Sequence, residues 1–233
     1  MPLDAKTLAP GRIAELLQPY LAAASGAKID WPRVYDQLTI YLELLLKWNS
    51  RINLTAIRSP EEIVQRHFGE SLFAGLHLRC STWNIAPLGP NTNASGCKSL
   101  LDFGSGAGFP GLPIQILYPN LPVVLAESRQ KKASFLRESV RSLGFQTEIW
   151  ANRAEEMPAG RTFSAVTLRA VDEMEDAVSA ASARTRNRLL ILGTRNSSYP
   201  ALSKTFTGPD LTPIPQSEDG VLMLYTRHPS PSS

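Results

Sequence analysis

One stretch constrains this chain more than any other. Leu101-Asp102-Phe103-Gly104-Ser105-Gly106-Ala107-Gly108-Phe109-Pro110-Gly111 follows a short apolar run and precedes a segment that can start a helix at Pro110. Glycine lets the backbone turn tightly and approach a ligand without side-chain interference. A strand–loop–helix turn of this kind belongs at the carboxyl edge of a parallel sheet, where ligands of doubly wound folds bind.

The surrounding pattern places the loop in such a sheet. Short apolar runs at 99–103, 122–126, 145–150, 163–168 and 189–192 read as strands, with helix-length segments at 128–143 and 172–184 between them. Strand–helix alternation implies parallel strands with right-handed crossovers. Two further strands, 211–215 and 221–227, flank a turn at 217–220 without an intervening helix, which predicts an antiparallel hairpin. Pro213 and Pro215 make its first strand irregular or an edge. The expected fold is therefore α/β, a Rossmann-like seven-stranded sheet of the class I methyltransferase layout, with five parallel strands closed by a hairpin.

An N-terminal helical extension, residues 1–80, precedes this core. Val34, Leu38, Tyr41, Leu42 and Leu45 recur at three- and four-residue steps, predicting a helix from about Trp31 to Trp48. Ser59-Pro60-Glu61-Glu62 is a helix start, and its helix should run to about Leu76. Trp48, Asn49 and Asn53 suggest a helix end where asparagines cap backbone groups. Residues 81–98 mix Pro, Gly, Asn and Ser without period and are expected to be a loop or insertion. The core should span 99–228, and 229–233 should fray.

The register of the glycines discriminates between ligands. Counted from Gly104, a dinucleotide fingerprint fails because Phe109 stands at its last position; counted from Gly106 it matches, but starts two residues late and carries Pro110. Asp102 suits a cationic ligand, the sulfonium or amino group of S-adenosylmethionine, whereas a pyrophosphate gains nothing from a carboxylate. Glu127 closes the second strand and can accept both ribose hydroxyls of an adenosine, a feature shared with dehydrogenases.

Composition bounds the rest. The chain has 233 residues, 24 Lys and Arg against 21 Asp and Glu, and a formal net charge of +3, which permits nucleic-acid binding without arguing for it. Cys80 and Cys97 match no zinc spacing and are expected to be reduced thiols, with no metal implied. MPLDAKTLAP carries no basic region followed by an apolar stretch, so no secretory signal is expected. No apolar run approaches the roughly 18 residues of a membrane span. A cytoplasmic monomer without membrane contact is expected, since no heptad or exposed apolar stripe demands a partner.

Six segments occur together in order: KWNSRINLTAI (47–57), RHFGESL (66–72), LLDFGSGAGFPGLPI (100–114), ESRQKKASFLR (127–137), NRAEE (152–156) and LRAV (168–171). With them the chain, over roughly residues 35 to 195, closely resembles the glucose-inhibited division protein B family. The resemblance implies an S-adenosylmethionine-dependent methyltransferase acting on the seven-position nitrogen of a guanine in 16S rRNA, with the rRNA or the small ribosomal subunit as partner. It implies that Gly104 and Phe109 line the methionine and adenosine pocket, with Gly106 and Gly108 in the same loop. It further implies that Glu127 holds the ribose, that Ala154 and Glu155 contact the adenine edge, and that Arg169 lies at the cofactor–substrate junction. Glu70 stands where the family usually has Asp, the segment 83–98 is longer than usual, and ILGTRN (191–196) lacks a common Lys-Gly.

The residues narrow the chemistry. Cys80 and Cys97 both precede the glycine loop, so no cysteine nucleophile for cytosine carbon stands beside it. Thr167-Leu168-Arg169-Ala170 replaces the Asn/Asp-Pro-Pro-aromatic turn used on adenine amines. The seven-position nitrogen of guanine has an exposed lone pair and loses no proton on attack, so no general base is expected. Arg169 would then orient the guanine oxygen, a phosphate or the cofactor. His67 and Arg66 are expected to be structural or RNA-positioning, and His77 and His228 incidental. Two basic clusters could meet phosphate: Arg129, Lys131, Lys132, Arg137 and Arg141, and, with fewer neighbouring acids, Arg184, Arg186, Arg188 and Arg195. A nicotinamide-dependent dehydrogenase and a non-catalytic RNA-binding or ribosome-assembly factor that retains the fold are the competing readings.

Overall fold

The computed structural model describes residues 8–24, 29–78 and 98–228. The expected loop at 81–98 (all but Lys98), both cysteines and the tail 229–233 lie outside the described residues. Seven strands form one sheet: β1 Leu100–Phe103, β2 Val123–Ala126, β3 Glu148–Trp150, β4 Phe163–Arg169, β5 Thr185–Thr194, β6 Phe206–Pro213 and β7 Gly220–Arg227. Their order is β3-β2-β1-β4-β5-β7-β6. The first five strands are parallel, and β7 lies antiparallel between β5 and β6. β6 is the expected edge, with a register shift between Thr207 and Asp210. β5 begins four residues earlier than its apolar run, because Arg186 and Arg188 extend a strand whose neighbours supply its ladder.

Side-chain alternation divides the sheet into two cores. Leu100, Leu125, Ala165, Leu190 and Leu222 face one side, while Leu101, Val124, Val166, Leu189 and Met223 face the other. The first face is covered by α5 Gly111–Leu117, α6 Gln130–Ser142 and the N-terminal helices, and the second by α7 Met174–Arg184. In the extension, α1 Pro10–Leu17 and α2 Trp31–Asn49 are followed by the short helical turn α3 Pro60–Glu62, a π-helical segment Ile63–Gly69 and α4 Glu70–His77. α1 was not visible in the apolar periodicity. Ile13, Leu38, Phe68, Leu136 and Leu190 belong to one continuous buried cluster, so extension and sheet share a core.

Local signals account for several ends. Asp30 and Ser59 accept from the N–H groups of Arg33 and Glu62, as capping side chains do. Asn49 closes α2 by accepting from the Leu54 and Thr55 N–H groups and donating to the carbonyls of Thr55 and Ile57. The helix after Ser59 departs from expectation: its middle is π-helical, a widened turn found mostly at functional sites. Among the described residues no helix is long and apolar enough to cross a membrane.

Within the second basic cluster, Arg184 is turned into the protein and is not available to a phosphate. Arg184 is 7% exposed and donates to the carbonyls of Glu155, Met157, Pro158 and Arg161, tying that loop to the end of α7. The loop's carbonyls have no ladder, so a buried guanidinium supplies their donors. Arg186 and Arg188 occupy the amino end of β5, opposite the carboxyl edge where the glycine loop lies. Arg184→Met should lower the unfolding free energy by about 2–4 kcal/mol by leaving buried carbonyls unsatisfied. Urea titration reads this as a lower midpoint at unchanged slope; a wild-type midpoint would refute the bracing role.

Candidate functional site

The carboxyl ends of β1, β2 and β4 open into a cleft of about 580 Å³, a size ordinary for a small-molecule site. Gly104, Gly106 and Phe109 come from the glycine loop, Glu127 and Lys132 from the connection and helix after β2, and Ala154 and Glu155 from a 3₁₀ turn after β3. Arg169 and the loop 170–173 come from beyond β4. The extension contributes Leu54, Thr55 and His67 to the same cleft.

The loop is shaped from beneath by a buried carboxylate. Asp102 is fully buried; its Oδ2 accepts from the Gly111 N–H at 3.1 Å and its Oδ1 from the Thr167 hydroxyl at 2.8 Å. It does not line the cleft, so its expected role beside a cationic ligand is corrected: it caps α5 and joins β1 to β4. Gly108 is corrected likewise. At φ +95° it turns away from the cleft, and a Cβ there would meet Leu112 and the Tyr41 hydroxyl at 2.7 Å. Tyr41, from α2, donates that hydroxyl to the Ala107 carbonyl. Gly104, at φ +72°, has Val171 packed where a Cβ would sit.

Glu127 turns inward over the loop. Its Oε2 accepts from the Gly106 N–H at 2.9 Å and its Oε1 from the Arg129 N–H at 2.7 Å. The loop amide that could serve a phosphate is therefore held by a carboxylate, and the first amide of α5 is held by Asp102. A pyrophosphate would face the Glu127 carboxylate and find taken two of the N–H groups that a dinucleotide site leaves free.

At the other end of the cleft, Arg169 is held by the extension. Its Nη2 donates to Glu70 Oε2 at 2.7 Å and to the Arg66 carbonyl at 3.0 Å, and its Nη1 meets His67 Nδ1 at 2.9 Å. Arginine only donates, so Nδ1 accepts, and Nε2 carries the hydrogen that goes to Thr55 Oγ1 at 2.7 Å. His67 stacks on Phe109 with ring centroids 4.6 Å apart. Burial, then the charges of Arg169 and Arg66, lower its pKa to about 3, which keeps the ring neutral. Arg66 itself does not line the cleft; its Nε pairs with Glu70 Oε1 at 3.1 Å and its side chain is about half exposed.

Sequence reasoning missed Thr55, Tyr41 and the full part played by Glu70. Glu70 did leave a signal: an acid opening a helix whose next six residues are all buried, where only a paired carboxylate is tolerated. Ala170 and Glu173 hold positive φ in the loop lining the cleft, a conformation costly for side chains with a Cβ and concentrated at ligand sites.

A family model described as GidB, rRNA small subunit methyltransferase G, matches residues 34–199. The chain belongs to that family. It is 37% identical over 156 residues to the ribosomal RNA small subunit methyltransferase G of Nitrosomonas eutropha, a match covering 66% of this chain and 65% of that protein. With the ribosomal RNA small subunit methyltransferase G of a Roseiflexus species it is 43% identical over 159 residues, 66% of this chain and 61% of that protein. The match thus spans a little under two thirds of the length of these relatives. Among solved structures, a ribosomal protein L11 methylase from Lactobacillus delbrueckii subsp. bulgaricus superposes with a TM-score of 0.51 at 10% identity, over 70% of this chain and 79% of that one.

Two buried groups give the site an opposed pH signature. Burial raises Asp102 from 3.8 to about 6, so its native carboxyl favours the proton. That contribution to stability is full below pH 3.8 and is lost as pH rises through about 6. His67 is the reverse: its contribution is full above pH 6.5 and is lost as pH falls toward about 3. The slopes oppose each other between pH 4 and 6. Asp102→Asn removes the falling one, so its unfolding free energy should rise over that interval more steeply than the wild type's, by up to about 1.4 kcal/mol per pH unit. Urea titrations in buffers from pH 4 to 6 measure the difference, and parallel curves would count against it.

Proposed function

We propose that the cleft binds S-adenosylmethionine and that the protein transfers its methyl group to the seven-position nitrogen of a guanine in 16S ribosomal RNA. The observation that carries the cofactor reading is the bond from the Gly106 N–H to Glu127. It blocks a phosphate subsite and leaves a carboxylate at the end of β2, where a ribose diol can add to it. Apolar groups from Phe103, Ala126, Ala154 and Ala177 fit an adenine, and the lining carries acids and bases in near balance, with Glu155 and Asp176 the acids beside that apolar part. The residues present therefore fit this group. Bound there, S-adenosylmethionine supplies a methyl carbon made electrophilic by a positively charged sulfur.

Within this reading Gly104, Gly106 and Phe109 line the methionine and adenosine moieties, Glu127 holds the ribose, and Ala154 and Glu155 meet the adenine edge. Arg169 and His67 bound the acceptor end. His67 has both ring nitrogens committed and stays neutral, so it has no lone pair to take a proton. An acceptor that must be deprotonated would find no base in it, whereas a guanine ring nitrogen with a free lone pair needs only alignment. Alignment alone can be worth about 7–11 kcal/mol. The RNA and the small subunit as its source enter through the relatives named above, and an rRNA substrate would put the action in the cytoplasm. Among described large apolar side chains only Ile40 and Leu211 are exposed, which supports a monomer.

The test is transfer of radiolabelled methyl from S-adenosylmethionine to small-subunit particles lacking the modification, with nuclease mapping of the product. Label in one 7-methylguanosine is the expected result. Cofactor binding by calorimetry without transfer would favour an RNA-binding or assembly factor that retains the fold. In the same calorimetric experiment Glu127→Ala should weaken cofactor binding at least about tenfold, the worth of one charge-assisted hydrogen bond. Unchanged affinity would remove Glu127 from the site.

A further inference from the structure

We infer that Glu70 is a positioning residue for methyl transfer, acting through Arg169; the inference rests on the function proposed above. Glu70 does not line the cleft, and its side chain is only 8% exposed, yet it holds two cations: Arg66 through Oε1 and Arg169 through Oε2. Replacing a buried ion pair by packed apolar groups is often neutral or stabilising, so such a pair is weak evidence of a stability role. What this pair does is geometric. Together with the Arg66 carbonyl and His67 Nδ1 it engages three of the five N–H groups of Arg169.

The two remaining donors, the Nε–H and one Nη1 hydrogen, have no acceptor among the described residues, and the side chain borders the cleft. An arginine free in solution samples many rotamers, at a cost of about 2 kcal/mol to fix. Here that ordering is complete before any acceptor arrives. The three groups that do it, the Glu70 carboxylate, the His67 ring and the Arg66 carbonyl, come from one short helical stretch, where three- and four-residue spacings put them on one face. Thr55 then fixes the His67 tautomer that accepts. The N–H groups left over are thereby held ready for oxygens of the acceptor nucleotide, whose ring nitrogen is then in line for attack.

Single-turnover methyl transfer at saturating cofactor, with cofactor affinity measured alongside by calorimetry, tests this. Glu70→Gln removes the charge at constant shape and turns an amide N–H toward one of the two guanidinium groups, so Arg169 loses its alignment. The rate should fall about 10–100-fold, the cost of a misplacement near 1 Å, with cofactor affinity unchanged. Glu70→Asp keeps the charge and should recover most of the rate. Arg169→Ala should cost a similar factor, and adding Glu70→Gln to it should cost nothing more, because the carboxylate acts only through the guanidinium. A wild-type rate in Glu70→Gln would overturn the inference. So would an equal loss in both backgrounds, or a loss of cofactor affinity parallel to the loss of rate, each of which marks a merely structural role. Cofactor binding with no transfer by the wild type would overturn the function itself, and the inference with it.

Discussion

A single buried carboxylate sets the geometry on which the cleft depends. Asp102 lies next to the last residue of β1 at the centre of the sheet, with strands on both sides and no exposure to water. Its two oxygens are taken by a helix amide on one side and a neighbouring strand's hydroxyl on the other. A Cβ at Gly111 would come within 2.7 Å of that carboxylate, so the helix start approaches closely only because the residue there is glycine. Residues 104–110 must then fold into the short gap between Phe103 and α5, and they do so through positive-φ turns at Gly104, Gly106 and Gly108. Glu127 repeats the device from above, holding the Gly106 amide. Between them the two acids leave the loop little freedom. They also spend on the protein itself the amides that a phosphate would have required.

The second constraint comes from outside the sheet. Residues 10–24 and 29–77 are not an appendage with a core of their own: Tyr41, Phe68 and Phe109 form one aromatic cluster, with Tyr41 and Phe109 centroids 5.7 Å apart. The loop is therefore gripped on three sides, by Asp102 below, Glu127 across and Tyr41 behind. Arg169 then links the end of β4 to the π-helical segment. A bare sheet of this kind would have an open edge here; the extension converts that edge into a walled end bearing an imidazole, a guanidinium and a phenyl ring in contact. Removing one member of the buried ion pair would leave the other uncompensated, a cost of about 3–5 kcal/mol. Stability and site geometry are coupled at this point.

How much of this could be read beforehand depended on whether a feature was local. Strand alternation, the hairpin, the edge character of β6, the Ser59 cap and the Asn49 helix end follow from periods and side-chain chemistry within a few residues. So does the glycine loop. Asp102 was legible as an acid in the loop but not in its orientation, since strand register decides whether a side chain points to the cleft or into the core. Arg184 misled for a related reason: a run of arginines reads as a basic surface, and nothing local reveals that carbonyls 23 to 29 residues earlier need its donors. Arg186 and Arg188 do carry exposed or part-exposed charge, and only topology says that they stand at the end of β5 away from the cleft. The π-helical turn has no propensity signature at all.

The form of the site also restricts what reaction it can serve. His67 is the residue that invites an acid–base assignment, and it is the one group whose surroundings exclude it. Its Nδ1 faces a guanidinium, its Nε2 hydrogen is held by a hydroxyl, its ring lies against Phe109, and the nearest charges are positive. Protonating it would break the bond to Arg169 and place two cations in contact in a buried space. The same arrangement that makes His67 useless as a base makes it a rigid acceptor for Arg169, so the loss of one function is the condition for the other. A chemistry in which the acceptor already presents its lone pair needs no proton carrier, and a site that spends its imidazole on alignment is suited to that chemistry.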